Sequence, residues 1–266
     1  MSTADAQARP LRAWHLLVWL VAAIASTMCG IGGGLFAVPI LHFLLKLPLK
    51  LATATSLVSV FAMTLAGTLA ELAQPQSALN WPVIACLSAG GLFGAWIGQF
   101  VARRLGVRAL SWIFAIALSA AGIRILVGGA ATAGFPSVAP SLDMPHAFGV
   151  AALGVAAGFV SPLLGVGGGL IMVPGLVLGL PGLGYLGARA CSTAMSVVSS
   201  AQLTWMNLRD GRVHRAVLLP FCSVSVLGAV LGIALVHRPG WAEVARRLMG
   251  ALLVIFGAKF AWRALR

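Results

Sequence analysis

Acidic residues are nearly missing from this chain: 5 Asp and Glu stand among 266 residues, against 18 Lys and Arg. Charge of either sign is scarce, at 9% of residues, where an ordinary soluble domain carries about 25%. With 60% of its residues hydrophobic, the chain cannot be a water-soluble globule. The 4 cysteines (Cys29, Cys86, Cys191, Cys222) lie in apolar segments without a CxxC spacing, which excludes a disulfide framework and a zinc site. There a thiol packs as a small hydrophobe. No nucleophile-base pair, metal spacing or nucleotide loop is present, so neither an enzyme nor a cofactor or metal is expected.

What the chain has instead is uncharged length. Residues 51 to 70, 82 to 102, 190 to 208 and 216 to 236 carry no charge. Each approaches or exceeds the ~20 residues a helix needs to cross hydrocarbon. The expected class is an all-α polytopic protein of the bacterial inner membrane, with lipid as its surroundings. Its basic residues cluster between apolar runs (Arg103, Arg104, Arg108; Arg209, Arg212, Arg215). That placement retains loops in the cytoplasm and does not suggest nucleic acid. Arg9 and Arg12 precede an apolar stretch at 16 to 25 as in a signal peptide. A similar helix at 147 to 162 precedes the second copy of the motif described next, so the first is expected to stay in the fold. Met28 before Cys29 disfavours a lipoprotein site.

The sequence repeats. GIGGGLFAVP at 30 to 39 returns as GVGGGLIMVP at 165 to 174, ATATS at 52 to 56 as ARACS at 188 to 192, and GAWIG at 94 to 98 as GAVLG at 228 to 232. The displacements are 135, 136 and 134, which defines a first membrane repeat at 14–127, a Gly/Pro/Ser-rich linker at 128–145 and a second repeat at 146–266. Each repeat has four apolar segments. The first of each, 13 to 45 and 147 to 181, would form an unbroken helix of ~50 Å against ~30 Å of hydrocarbon. The triplets Gly32-Gly33-Gly34 and Gly167-Gly168-Gly169 are the expected breaks, because glycine is poor in a helix interior and accepts positive φ. If both broken segments turn back, 13 of the 18 basic residues fall on one side of the membrane and 5 on the other; if both cross, the split is even. The positive-inside rule therefore predicts two re-entrant hairpins, three full spans per repeat and an inverted second copy.

A glycine break followed by a helix start leaves N–H groups unpaired at the positive end of a helix dipole. In lipid that is tolerated where the donors line a cavity or meet a ligand, so Gly30, Gly32, Gly33, Gly34, Gly165, Gly167, Gly168 and Gly169 are candidate anion-binding positions. Close packing is the competing explanation, and it is the preferred one for Gly94/Gly98 and Gly228/Gly232 at GxxxG spacing. The following segments offer hydroxyls at Thr53, Thr55, Ser56 and Ser59, and at Ser192, Thr193, Ser196, Ser199 and Ser200. Thr55, Ser56, Cys191, Ser192 and Thr193 are the candidate substrate contacts, with bonding to the helix's own carbonyls the alternative use of each hydroxyl. Arg189 stands where the first copy has Thr53. It reads either as a charge partner for the anion or, preferentially, as an anchor snorkelling from the helix end.

Two copies of G-x-GGG-x-x-x-VP, each followed by a small-polar helix in a hydrophobic chain of this length, resemble the TauE/SafE family of sulfite exporters. The resemblance covers about 14 to 265 and implies a transporter for sulfite, a sulfonate or a related sulfur oxyanion. An organic-carboxylate carrier of the same fold and a non-transporting assembly subunit are the alternatives, and a homodimer is left open. Cys29 and Cys191 flank the expected pocket, where sensing of sulfur species is the minor reading against packing. Acidic residues are expected outside the membrane interior, with Glu71 merely ending the second segment. His42 is then the one buried base that could titrate, and transport is expected to follow the membrane potential without a coupling ion.

Overall fold

The computed structural model describes residues 12–101, 119, 122–123, 125–127, 143–164, 168–211 and 213–265. These residues form helices and no strand, as expected of a chain that satisfies its backbone polar groups inside lipid. The first broken segment is α1 (Ala13–Cys29), a glycine-rich break, and α2 (Gly34–Pro39), which continues as a π-helical turn over Ile40–Leu44. Helices α3 (Leu49–Leu72) and α4 (Trp81–Val101) follow. The second copy comprises α5 (Met144–Leu164), α6 (Gly169–Gly179), a 3-10 turn (Pro181–Leu183), α7 (Gly184–Arg209), α8 (Arg215–Val236) and α9 (Trp241–Leu265). Of the expected linker, residues 128 to 142 lie outside the described residues; α5 opens at Met144, two residues before the expected boundary.

Among the described residues, four helical stretches are long and apolar enough to cross a membrane: Leu51–Leu72, Trp81–Gly98, Met144–Ser161 and Val217–Val236. The chain is a multi-pass membrane protein. Its helices are held by close approach of backbones, the device available where lipid is as apolar as the side chains. A Cβ at Gly94 would run into the Val155 carbonyl of α5, and one at Gly98 into that of Phe159. On α8, a Cβ at Gly228 would stand 2.6 Å from Ala23 Cβ, and one at Gly232 2.9 Å from the Ile24 carbonyl oxygen, both on α1. The GxxxG pairs are packing surfaces between the two copies.

Both broken segments fold back on themselves. A Cβ at Gly168 would lie 3.2 Å from the Ala157 oxygen, and one at Gly175 2.5 Å from Leu153 Cδ1. As α6 advances, its neighbour on α5 recedes, so the two run antiparallel. In the first copy the turn Ile40–Leu44 lies beside α1, whereas a straight continuation would carry it roughly 15 Å past Cys29.

Contact registers also fix how the copies run past each other. Along α3 and α7 the pairs are Leu57 with Thr204, Thr64 with Ser200, Gly67 with Thr193 and Glu71 with Arg189. One number rises as the other falls, so these corresponding helices are antiparallel. Thr64 and Ser200 are 136 positions apart, the repeat displacement, and their hydroxyls approach to 3.5 Å. The fourth segments behave alike, with Ile125 against Arg246 and Gly122 against Gly250. By contrast, α1 runs parallel to α8 (Trp19 with Ser225, Thr27 with Gly232), and α4 parallel to α5 (Gly90 with Ala151, Gly98 with Phe159). Each copy therefore lends its third apolar segment, α4 or α8, to the other's broken segment, the exchange a twofold perpendicular to α3 and α7 would produce.

Candidate functional site

The first break is built by left-handed glycines: Gly30, Gly32 and Gly33 have φ of 71°, 79° and 78°. The Gly30 N–H donates back to the Ser26 and Thr27 carbonyls and so closes α1. Gly33 then opens α2, whose first N–H groups have no carbonyl behind them. In the second copy Gly168, φ 82°, opens α6 in the same way, while Gly165 and Gly167 lie outside the described residues. The two breaks touch. A Cβ at Gly169 would collide with the Gly30 carbonyl and stand 2.9 Å from Ile31 Cα.

The candidate hydroxyls serve the helices more than a ligand. Ser56 Oγ donates to the Thr53 carbonyl at 2.8 Å, Thr193 Oγ1 to that of Arg189 at 2.9 Å, and Ser200 Oγ to that of Ser196 at 2.5 Å. Thr55 Oγ1 accepts from the His214 N–H at 3.1 Å, tying the entry of α8 to α3. Ser192 differs, since its hydroxyl donates to the Gly30 carbonyl at 3.1 Å and fastens the first break to α7. The thiols of Cys29 and Cys191 are buried, 3.7 Å from the Ala245 carbonyl and 3.8 Å from that of Asn80.

Arg189 is not the snorkelling anchor that was preferred on sequence grounds. Its side chain is 0% exposed, and its Nη2 donates to Glu71 Oε2 at 2.5 Å. The stem crosses the first break, with Cγ 2.8 Å from where a Gly30 Cβ would stand. The guanidinium's Nε and Nη1 have no hydrogen-bond partner. Glu71 likewise departs from expectation: it lies in the last turn of α3, yet its side chain is 2% exposed. Its Oε1 accepts from the Ala78 N–H at 3.3 Å, and its Oε2 also meets His237 Nε2 at 3.1 Å. A buried carboxylate is therefore present, and His42 is not the one base to consider. His42 is half-buried with Nδ1 2.8 Å from the Leu47 carbonyl, whereas His15 and His214 are more deeply buried.

Two further residues escaped the sequence reading. Ser26 and Ser161 are 0% and 1% exposed, and neither hydroxyl has a partner. They are 135 positions apart, the displacement of the glycine motif, and each stands a few residues before its break. The repeat alignment was the signal that could have found them.

Antiparallel corresponding helices, paired glycine hairpins and a buried cation at their contact define a helical membrane protein of the transporter class. The family described as "Sulfite exporter TauE/SafE" matches residues 2–125 and 150–266, and the chain belongs to that family. It is a membrane transporter of that group. Among its relatives, "Probable membrane transporter protein YunE" of Bacillus subtilis (strain 168) is 26% identical over 114 residues, 43% of this chain; the match spans 41% of that protein's length. A "Probable membrane transporter protein" of Xylella fastidiosa (strain 9a5c) is 23% identical over 245 residues, 90% of this chain and 91% of the relative. Its counterpart in strain Temecula1 / ATCC 700964 is 22% identical over the same length. No solved structure matches.

Proposed function

We propose that the chain is a secondary carrier for a small sulfur oxyanion, sulfite or an organosulfonate, bound where the two glycine breaks meet. The observation that carries this reading is Arg189, a fully buried cation laid across Gly30 with two of its nitrogens, Nε and Nη1, unpaired. Leaving such donors unsatisfied in a low-dielectric interior costs about 1–3 kcal/mol each or more, and an anion recovers it. The hydroxyls of Ser26 and Ser161 offer further donors without adding charge. A carrier also gives a use to breaking two helices, which a scaffold would not need. In the membrane, the two hairpins are re-entrant and the copies inverted, with three full spans each. Export is the direction that the family description carries.

The test is counterflow in proteoliposomes with labelled sulfite, sulfate, taurine, methanesulfonate and succinate. Exchange of sulfite or a sulfonate at least tenfold above protein-free liposomes is expected. Exchange of succinate alone would move the assignment to a carboxylate carrier, and none at all would refute a carrier.

A further inference from the structure

The buried ion pair occupies one of two corresponding positions, and the other does without charge. At the displacement of 136, Arg189 corresponds to Thr53 and Glu71 to Asn207. The corresponding residues are thus neutral, and Asn207 bonds to the Leu203 carbonyl of its own helix. A buried ion pair is poor value for stability compared with neutral packing, so the charges of Arg189 and Glu71 need a different reason.

We infer that Glu71 is the proton-loading site of the carrier and that its carboxylate competes with the transported anion for Arg189. This rests on the anion-carrier reading above. Glu71 Oε2 lies between Arg189 Nη2 at 2.5 Å and His237 Nε2 at 3.1 Å. Exposure rises along that line, from 0% at Arg189 and 2% at Glu71 to 10% at His237. His237, which caps α8, therefore connects the carboxylate to solvent, while Arg189 connects it to the break. The remaining charged or titratable groups nearby are Tyr185 and Cys191 on α7, Cys29 on α1, and Arg246 on α9, which acts through Tyr185. The connection from Ala73 to Asn80 and helix α4 contribute no charge.

The balance of charge sets the coupling. With no anion bound, Arg189 is neutralised by the Glu71 carboxylate. When a monovalent anion binds the open Nε and Nη1 of Arg189, two negative charges face one guanidinium and the Glu71 carboxylate becomes an excess buried charge, which a low dielectric does not tolerate. It therefore takes a proton from solvent by way of His237 and gives it back when the anion leaves. Both states of the site are neutral, and one proton travels with one monovalent anion. Transport is then electroneutral and follows the pH gradient, contrary to the potential-driven movement expected from the sequence. Export proceeds whenever the anion excess inside outweighs the proton gradient.

The probe is labelled methanesulfonate, a monoanion at every working pH, with the full-length protein in proteoliposomes. An acid-outside pH step at zero potential should drive accumulation toward about a tenfold anion ratio per pH unit, and a potential at equal pH should drive little. Glu71→Gln should lose at least nine-tenths of the pH-driven accumulation, and its counterflow should lose the fall with rising pH that the wild type shows. Wild-type flux that follows the potential and ignores the pH step, or a Glu71→Gln variant that accumulates normally, overturns the inference and leaves the carrier reading standing. Wild-type vesicles without counterflow overturn the carrier reading itself. Should the variant fail to fold, the wild type in weakly buffered detergent gives the answer. Uptake of about one proton per methanesulfonate bound is expected, and no uptake refutes the coupling.

Discussion

At the scale of single residues, the polar groups near the breaks divide into those already satisfied and those left over. Ser56, Thr193 and Ser200 bond to their own helices, and Ser192 holds the Gly30 carbonyl. Ser26 and Ser161 bond to nothing in the protein while fully buried. A hydroxyl kept in that state costs about 1–3 kcal/mol, so its removal should not weaken the fold. Ser26→Ala and Ser161→Ala are therefore expected to keep or slightly raise the melting temperature in detergent while raising the KM for anion exchange severalfold. A lower melting temperature with an unchanged KM would make these serines structural. Sequence reading passed over both because it took the helix after each break as the donor surface; the helix before it carries the free hydroxyls. It also missed Glu71, which looks peripheral when counted along its own segment. The inverted-repeat expectation contained the answer. In an antiparallel pair the residue numbers sum to a near constant, about 260 here, and that sum sets position 71 opposite position 189.

At the scale of elements, the glycine triplets were legible because their physics is local: a 33-residue apolar segment cannot be one straight helix in a membrane. That each segment returns beside itself could be weighed only indirectly, from charge distribution. The glycines at the two turns are constrained by φ, and a side chain there would also have to push aside the end of a flexible methionine. Gly33 has φ 78°, and a Cβ there would lie 2.6 Å from Met63 Cε; Gly168 has φ 82°, with Met172 Cε equally near. A left-handed conformation costs a residue with a Cβ about 1–2 kcal/mol before any clash is counted. Gly33→Leu and Gly168→Leu should each abolish counterflow, because they move the half-helix starts that line the proposed anion site. Membrane insertion, which depends on the long apolar runs, should remain. Variants that transport at wild-type rates would show that the breaks are packing devices and that the anion binds elsewhere.

At the scale of the whole molecule, the running directions of the helices restrict how the chain can lie in a bilayer. Corresponding helices α3 and α7 are antiparallel, and so are the fourth segments, while α1 runs with α8 and α4 with α5. If each broken segment crossed completely, every copy would have four crossings. The copies would then enter from the same side, and α3 and α7 would run parallel. Hairpins that return to the side they left give three crossings per copy and the directions observed. The same arrangement collects 13 of the 18 basic residues on one face, which the positive-inside rule assigns to the cytoplasm. Two arguments of different physical origin, one from charge and one from contact register, thus support the proposed topology. Under the proposed topology, residues 46 to 50 and residues 209 to 215 are expected on the cytoplasmic side with Arg12, and the Arg189, Glu71 and His237 cluster toward the outer face. Lys46, the exposed residue at the end of the first hairpin, is the decisive position. In a background with the native cysteines replaced, Lys46→Cys and Arg12→Cys should both resist an impermeant thiol reagent added to intact cells and react once the membrane is opened, whereas Arg238→Cys should react from outside. Strong external labelling at Lys46→Cys with none at Arg12→Cys would mean that the first broken segment crosses the membrane, and the inverted arrangement would fall with it.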